Sequence, residues 1–240
     1  MEKLYRIGII VLGLVLLPHH AAALNDAVAV PLPLAQAPQP RNASGIKRAV
    51  FARAVASREV RHIADWVVDS GDNAGLPFAI VDKTGARVFV FEASGRMLDT
   101  APALLGLARG DESVPGIGDR EYVDIPPKDR TTPAGRFVAA LGSSTRGEDV
   151  LWVDYEGAVS LHRVVTNKPK DRRLERLASP SPRDNRISYG CINVPARFYE
   201  DVVVPAFTAT QGIVYVLPET RPASELFGAY DVEERGRRHR

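Results

Sequence analysis

Cysteine is almost absent from this chain, since its 240 residues contain only Cys191. A single cysteine excludes an internal disulfide, and it cannot by itself build a zinc site. Free cysteines are commonly buried and act as small apolar side chains, whereas a lone one in an exported protein suggests a reactive thiol or pairing between molecules. Two interpretations of Cys191 therefore remain, a buried thiol and a nucleophile.

An excess of charge of one sign is also missing. The chain has 31 Lys and Arg against 29 Asp and Glu, a formal charge of +2, and 45% of it is hydrophobic. This is an ordinary globular balance. The one dense basic cluster, residues 235–240, ends a basic tail (residues 221–240) of a kind that is usually solvated. We expect no nucleic acid as partner.

No apolar run is long enough to span a bilayer comfortably. The run at residues 7–17 follows a short basic start and precedes Pro18, and residues 21–23 offer a small-residue cleavage site. This pattern is typical of a secretory signal peptide, with an uncleaved membrane anchor as the alternative. We expect cleavage near Ala23, a periplasmic or cell-envelope location, and membrane contact only through residues 1–23.

Three further regions follow the predicted signal peptide. Residues 24–44 hold four prolines among alanines and glutamines, the composition of an extended linker. Apolar residues at three-to-four spacing predict a helix over residues 45–72, with Ser44 as N-cap, packing on or leading to the main domain. Residues 73–220 alternate short apolar segments with turns, which predicts one mainly β domain rather than a doubly wound α/β fold.

Alternation of apolar residues between turns predicts the individual strands. The first two form a hairpin. The predicted strands cover residues 78–81, 87–91, 150–155, 158–165 and 213–216, with one more running from a turn at 131–137 through 141 and a short helix at 195–203.

The single cysteine lies in the sequence Ser188-Tyr189-Gly190-Cys191. A reactive thiol needs backbone N–H groups around it and little steric cover, and this sequence can supply both. It also needs a base, and of the five histidines only His162 lies in a predicted strand of the β domain. His162 is therefore the candidate base, and a histidine that merely packs on a sheet face is the alternative.

Three segments, in this order, resemble the L,D-transpeptidase catalytic domain of bacterial cell-wall enzymes: residues 132–137, His162 and residues 188–193. That family has a threonine-proline-x-glycine-x-aromatic turn, a strand histidine, and a Ser/Thr-His-Gly-Cys motif with Asn or Arg two residues after the cysteine. The resemblance covers about residues 77–217. It implies a mixed, mostly β fold of sandwich-like or barrel-like form.

The resemblance also implies a chemistry. Cys191 would attack a peptidoglycan stem peptide and form a thioester, while His162 moves the proton. Backbone N–H groups of Tyr189, Gly190 and Cys191 would hold the oxyanion. We expect stem peptides as partners, no cofactor or metal, and a monomer. Further candidates for orienting groups or binding substrate are Ser188, Asn193 and Arg186, with structural roles as the alternative for the last two.

Three features depart from the family's pattern. Tyr189 stands where histidine is usual, and Arg163 follows the strand histidine where glycine is common. The stretch between His162 and Ser188 is longer than usual, so residues 166–185 form an insert, which is either solvated or a basic wall that favours acidic substrates. The alternatives are a hydrolase (L,D-carboxypeptidase) or protein-to-wall ligase on the same scaffold, and a non-catalytic peptidoglycan-binding protein with a degenerate site.

Overall fold

The structure, a computed structural model, describes residues 45–238. The predicted signal peptide and linker, residues 1–23 and 24–44, lie outside the described residues. Within residues 45–238, none of the helices combines the length and the apolar character needed to cross a bilayer.

Residues 45–238 contain ten strands. They are β1 (Phe78–Asp82), β2 (Arg87–Phe91), β3 (Met97–Pro102), β4 (Leu105–Gly106), β5 (Gly135–Ser143), β6 (Asp149–Asp154), β7 (Val159–Arg163), β8 (Arg186–Ser188), β9 (Ile192–Val194) and β10 (Gly212–Val216). Eight of them make one nearly closed mixed sheet in the order β3-β2-β1-β10-β5-β6-β7-β9, and β4 pairs with β8. The predicted mainly β fold, its hairpin and its strands are confirmed.

The sheet has an apolar cluster on each face. β1 and β10, which pair in parallel at its centre, are buried along their whole length. Because side chains alternate along a strand, Ala79 and Val81 pack into one cluster, while Phe78 and Ile80 pack into the other. Strands covered on both faces read as continuous apolar runs, which is why these two were recognisable in the sequence.

The described part of the chain contains six α-helices. They are α1 (Arg58–Ser70), α2 (Arg173–Ala178), α3 (Ala196–Phe198), α4 (Val204–Phe207), α5 (Ala223–Phe227) and α6 (Val232–Arg238). A π-helical turn, Tyr199–Val203, joins α3 to α4, so the predicted short helix at 195–203 is confirmed and runs on to Phe207.

The prediction of a helix starting at Ser44 is wrong. Helix α1 begins at Arg58, and Ser57 caps it by accepting a hydrogen bond from the N–H of Val60. The preceding segment is not helical, because the N–H of Val50 donates to the carbonyl oxygen of Gly95 and its carbonyl oxygen accepts from the N–H of Met97 at the start of β3, both at 2.9 Å. Phe51 then packs edge-on against an aromatic ring of β2. These distant contacts outweigh the local helical spacing.

The expectation of a solvated tail is wrong for residues 221–238. Helices α5 and α6 pack on α1, and Ala223 and Val232 are buried in the same apolar cluster. Asp69 of α1 accepts hydrogen bonds from the Tyr230 hydroxyl at 2.7 Å and from Arg235 at 2.6 Å. The basic end of the chain is thus anchored by a carboxylate from the other end of the described chain.

A buried ion pair lies between β1 and the loop after β4. Lys83 is completely buried, and its Nζ donates to Asp111 at 2.8 Å and to the carbonyl oxygens of Gly110 at 2.6 Å and Thr132 at 3.1 Å. Burial lowers the pKa of Lys83, but all three ammonium N–H groups have acceptors, so we assign the charged form. Lys83 thereby holds the backbone of Thr132, and Thr132 contacts residues 188–191, the loop that carries Cys191 (the cysteine loop).

Replacing Lys83 by methionine is expected to destabilise the fold by about 3–5 kcal/mol, because it leaves the Asp111 carboxylate buried without its partner. The free energy of unfolding, measured in denaturant, tests this. Arg48→Met is the control: it breaks an ion pair with Glu233 that is about half exposed, and it should cost less than about 1 kcal/mol. Equal losses in the two variants would contradict the prediction.

Candidate active site

A pocket of about 500 Å³ opens where β7 lies beside β9. Ser160 and His162 are two residues apart on β7 and face the same side of the sheet. Cys191 directly precedes β9, and all three side chains line the pocket. The structure therefore brings the predicted nucleophile and the predicted base into one cavity.

Cys191 is a partly exposed residue that lines this pocket, unlike the buried apolar cysteine of the alternative interpretation. The Ser160 hydroxyl donates to its sulfur at 3.7 Å, and the sulfur lies 3.6 Å from the carbonyl oxygen of Ala158. Ser160 was not among the predicted site residues. Its position two residues before His162 on the same strand was the signal that would have found it.

The imidazole of His162 has a fixed orientation. Its Nδ1 lies 2.7 Å from the backbone carbonyl oxygen of Arg163, so Nδ1 carries a proton and donates it. Its Nε2 faces the side-chain amide of Asn193 at 3.5 Å. In the neutral ring, Nε2 is therefore the atom that accepts a proton.

Cys191 and His162 shift each other's pKa in opposite directions. Burial alone would raise the pKa of the thiol and lower that of the imidazole. Burial is the largest single influence on each group, but the favourable contacts together outweigh it. The pKa of Cys191 is lowered by His162 and by Ser160, and the pKa of His162 is raised by Cys191, by the carbonyl group of Arg163 and by Glu148. The pair is thus biased toward thiolate and imidazolium, the state in which a cysteine is nucleophilic.

The hydroxyl of Ser188 stabilises the cysteine loop through two hydrogen bonds. It donates to the carbonyl oxygen of Cys191 at 2.6 Å and accepts from the N–H of Gly190 at 3.1 Å. The N–H of Gly190, predicted as an oxyanion donor, is therefore already engaged. The other two predicted oxyanion donors, the N–H groups of Tyr189 and Cys191, remain candidates for this role.

Thr132 also holds the cysteine loop in place, because its hydroxyl links the loop to β4. Its hydroxyl donates to the carbonyl oxygen of Gly190 and accepts from the N–H of Gly106, both at 2.8 Å. Gly190 has φ +141°, and a Cβ there would lie 2.9 Å from the carbonyl oxygen of Thr131. Only glycine fits this conformation and this close approach.

Tyr189, which stands where the resembled family has histidine, forms part of the pocket wall. Its ring meets the ring of Tyr122 edge-on at 5.1 Å, and the guanidinium of Arg130 lies 4.0 Å from its centre. Tyr122 also lines the pocket. The tyrosine side chain therefore ties the cysteine loop to the segment across the pocket.

Arg163, the second departure, points away from the pocket. It bonds to Asp149 at 2.8 Å and to Glu200 at 2.9 Å, and its guanidinium lies over the ring of Tyr199. Its contacts are those of a surface ion-pair network beside the sheet.

Arg186 is buried away from the pocket. Its guanidinium donates to Glu219 at 2.7 Å and to the carbonyl oxygen of Lys83 at 2.9 Å. These contacts favour the structural role for Arg186 over binding of a substrate carboxylate.

The insert at residues 166–185 reaches the pocket. It contains a 3-10 turn at Pro169–Asp171, helix α2, and a second 3-10 turn at Pro182–Asn185. Lys168 and Arg173 line the pocket, so the insert supplies basic side chains to its wall, while most of its other residues are exposed to solvent.

The protein is thus a mainly β structure with a nearly closed mixed sheet, and one pocket beside this sheet holds both a cysteine and a histidine. Comparison with protein-family models and with curated protein sequences gives no match.

Several solved structures are similar in fold. One is the helical cell shape determining protein Pgp2 from Campylobacter jejuni, with 14% sequence identity, a TM-score of 0.41, and coverage of 61% of this chain and 49% of that chain. The L,D-transpeptidase (residues 123-326) from Xylanimonas cellulosilytica has 16% identity, a TM-score of 0.34, and coverage of 59% and 60%. The catalytic domain of the E. faecium L,D-transpeptidase has 15% identity, a TM-score of 0.32, and coverage of 58% and 95%.

The chain spans about half the length of the Pgp2 structure. Identities and TM-scores this low do not carry the chemistry of those proteins over to this chain. The case for a function depends on the residues of its own pocket.

Proposed function

We propose that this protein is an exported cysteine acyltransferase that acts on peptidoglycan stem peptides by L,D-transpeptidation. The observation that carries the proposal is the pairing of Cys191 and His162 in one pocket, each shifting the other's pKa toward the thiolate–imidazolium state. The motif around Cys191 supports the choice of substrate, since it resembles that of L,D-transpeptidases. Export after cleavage near Ala23 would bring the enzyme to this substrate.

In the first half-reaction, the sulfur of Cys191 attacks the carbonyl carbon of the L-centre of a diamino acid residue in the stem. The C–N bond to the terminal D-residue then breaks, and the imidazolium ring of His162 donates its proton to the leaving amine. A thioester to Cys191 remains. In the second half-reaction an acceptor amine attacks that carbonyl carbon, His162 takes the amine's proton, and the C–S bond breaks to restore the thiolate.

The oxyanion of each tetrahedral intermediate needs donors that are already in place. Because Ser188 holds the N–H of Gly190, we assign this role to the backbone N–H groups of Tyr189 and Cys191. Main-chain donors do not depend on the side chain, so tyrosine in the usual histidine position is compatible with activity. Ser188 serves by shaping the loop.

The pocket wall suits an acidic peptide. The basic side chains that line it outnumber the two acidic ones, Glu121 and Glu148; they are Arg120, Arg146, Lys168 and Arg173. Stem peptides carry free carboxylates, and cationic walls draw such groups in. The basic insert would thus contribute to substrate binding.

The purified protein is expected to convert tetrapeptide muropeptides into cross-linked dimers with release of the terminal D-residue, as followed by mass spectrometry. The Cys191→Ala variant is the matched control and should give no product. Tripeptides without cross-links would point to the hydrolase instead. Unchanged tetrapeptides would contradict an enzymatic role and favour a wall-binding protein.

A further inference from the structure

The insert between β7 and β8 carries an arginine that reaches the cysteine loop. Arg173 begins helix α2, and only 15% of its side chain is exposed. Its Nε donates to Asp171 at 3.2 Å, and its Nη1 donates to the side-chain oxygen of Asn193 at 2.9 Å. The guanidinium is thus held between a carboxylate of the insert and an amide two residues after Cys191.

The bond from Arg173 decides which way the amide of Asn193 points. A guanidinium can only donate, so it must face the amide oxygen, and the amide nitrogen is turned to the opposite side. There Nδ2 donates to the carbonyl oxygen of Cys191 at 3.2 Å and faces Nε2 of His162 at 3.5 Å. An N–H aimed at Nε2 favours the neutral ring, because a protonated Nε2 would oppose a donor to a donor.

We propose that Arg173 is a positioning residue that acts through Asn193 on the candidate base His162. By fixing the amide, it keeps a donor facing Nε2 and opposes the pull of the thiol toward the imidazolium. Opposed influences of this kind leave the imidazole able both to take a proton and to return it, as general acid–base catalysis requires. The inference depends on the proposed function only for the role of His162.

Loss of Arg173 would leave the amide of Asn193 oriented only by the 3.2 Å bond from Nδ2 to the carbonyl oxygen of Cys191, so the amide could rotate more easily and present its oxygen to a protonated Nε2. That would stabilise the imidazolium. Removing the positive charge of Arg173 would also stabilise the imidazolium of His162. The test must therefore separate the effect of the Asn193 amide from the effect of the charge on Arg173. The other charged or titratable groups near His162 are Cys191 and Glu148. The same pocket is also lined by Arg120, Glu121, Tyr122, Arg146, Lys168 and Tyr189.

The pKa of His162 is measured by NMR in the full chain carrying Cys191→Ser, so that no thiol titrates with the ring. Arg173→Met is expected to raise this pKa by about 0.5–1 unit. Arg173→Lys keeps a donor and the charge, and it should restore most of the original value. Arg172→Met is the matched control: it removes one positive charge from the same insert at an exposed residue whose side chain bonds Glu175, and it should shift the pKa much less.

A double-mutant cycle with Asn193→Ala then isolates the amide. If Arg173 acts through Asn193, Arg173→Met shifts the pKa of His162 far less in the Asn193→Ala background. An equal shift in both backgrounds would overturn the proposal, and so would no shift in a folded Arg173→Met variant. Should that variant unfold, Arg173→Gln takes its place in the cycle. The measurement uses no substrate, so its failure and the failure of the proposed transpeptidation are distinguishable.

Discussion

Replacing Cys191 by serine is expected to slow covalent modification by a carbapenem at least about a thousandfold. The strained β-lactam ring opens when a thiolate attacks its carbonyl, so the reagent reports the nucleophile without needing the natural substrate. A serine hydroxyl in the same place has a far higher pKa than the thiol, and the pair with His162 that favours the thiolate would have no counterpart. The mass of the intact protein, followed over time, measures the adduct.

Ser160→Ala is the control for this experiment. The Ser160 hydroxyl touches the sulfur at 3.7 Å but forms no bond to the reagent, so its loss should slow the reaction by about tenfold or less, which corresponds to one weak hydrogen bond. An adduct that forms on Cys191→Ser at the original rate would show that another residue reacts. In that case the nucleophile assigned here is wrong.

Much of the fold was predictable because local patterns determine it. The hairpin of β1 and β2 combines two apolar runs with a turn; β2 has the predicted bounds, and β1 runs one residue further than predicted, to Asp82. The start of α1 was not predictable in this way. Residues 45–57 are not helical because Val50 bonds to Gly95 and Phe51 packs on β2, and no local spacing reveals a partner so far along the chain.

The candidate site shows the same division. Cys191 and His162 were found by scarcity, since the chain has one cysteine and few histidines. The sequence did not reveal the residues that orient and support Cys191 and His162. Arg173 reaches Asn193 from an insert whose composition only suggested a charged surface, and Lys83 meets Asp111 across 28 positions of sequence. Common residue types become informative only when the fold brings them together.

Replacing His162 by alanine is expected to lower the rate at which iodoacetamide alkylates Cys191 at pH 7 by about 10- to 100-fold. Burial alone would raise the pKa of Cys191, but the contacts with His162 and Ser160 together hold it below its ordinary value, and His162 makes the largest of these lowering contributions. Thiolate reactivity is therefore present above that lowered pKa and is lost as the pH falls through it. Without His162, burial prevails and the pKa rises, so the same loss occurs at a higher pH. A pH profile of the alkylation rate measures the shift.

The two profiles should converge at high pH, where both proteins are thiolate, and this convergence separates a change of pKa from a change of access. Arg163→Ala is the matched control: it alters the next residue on β7, whose side chain bonds Asp149 and Glu200 outside the pocket, and its profile should stay close to that of the unmodified protein. A constant ratio of rates at every pH in His162→Ala would mean that the histidine shapes the pocket without activating the thiol. The proposed acyltransferase would then lack its base, and the alternative of a wall-binding protein would gain support.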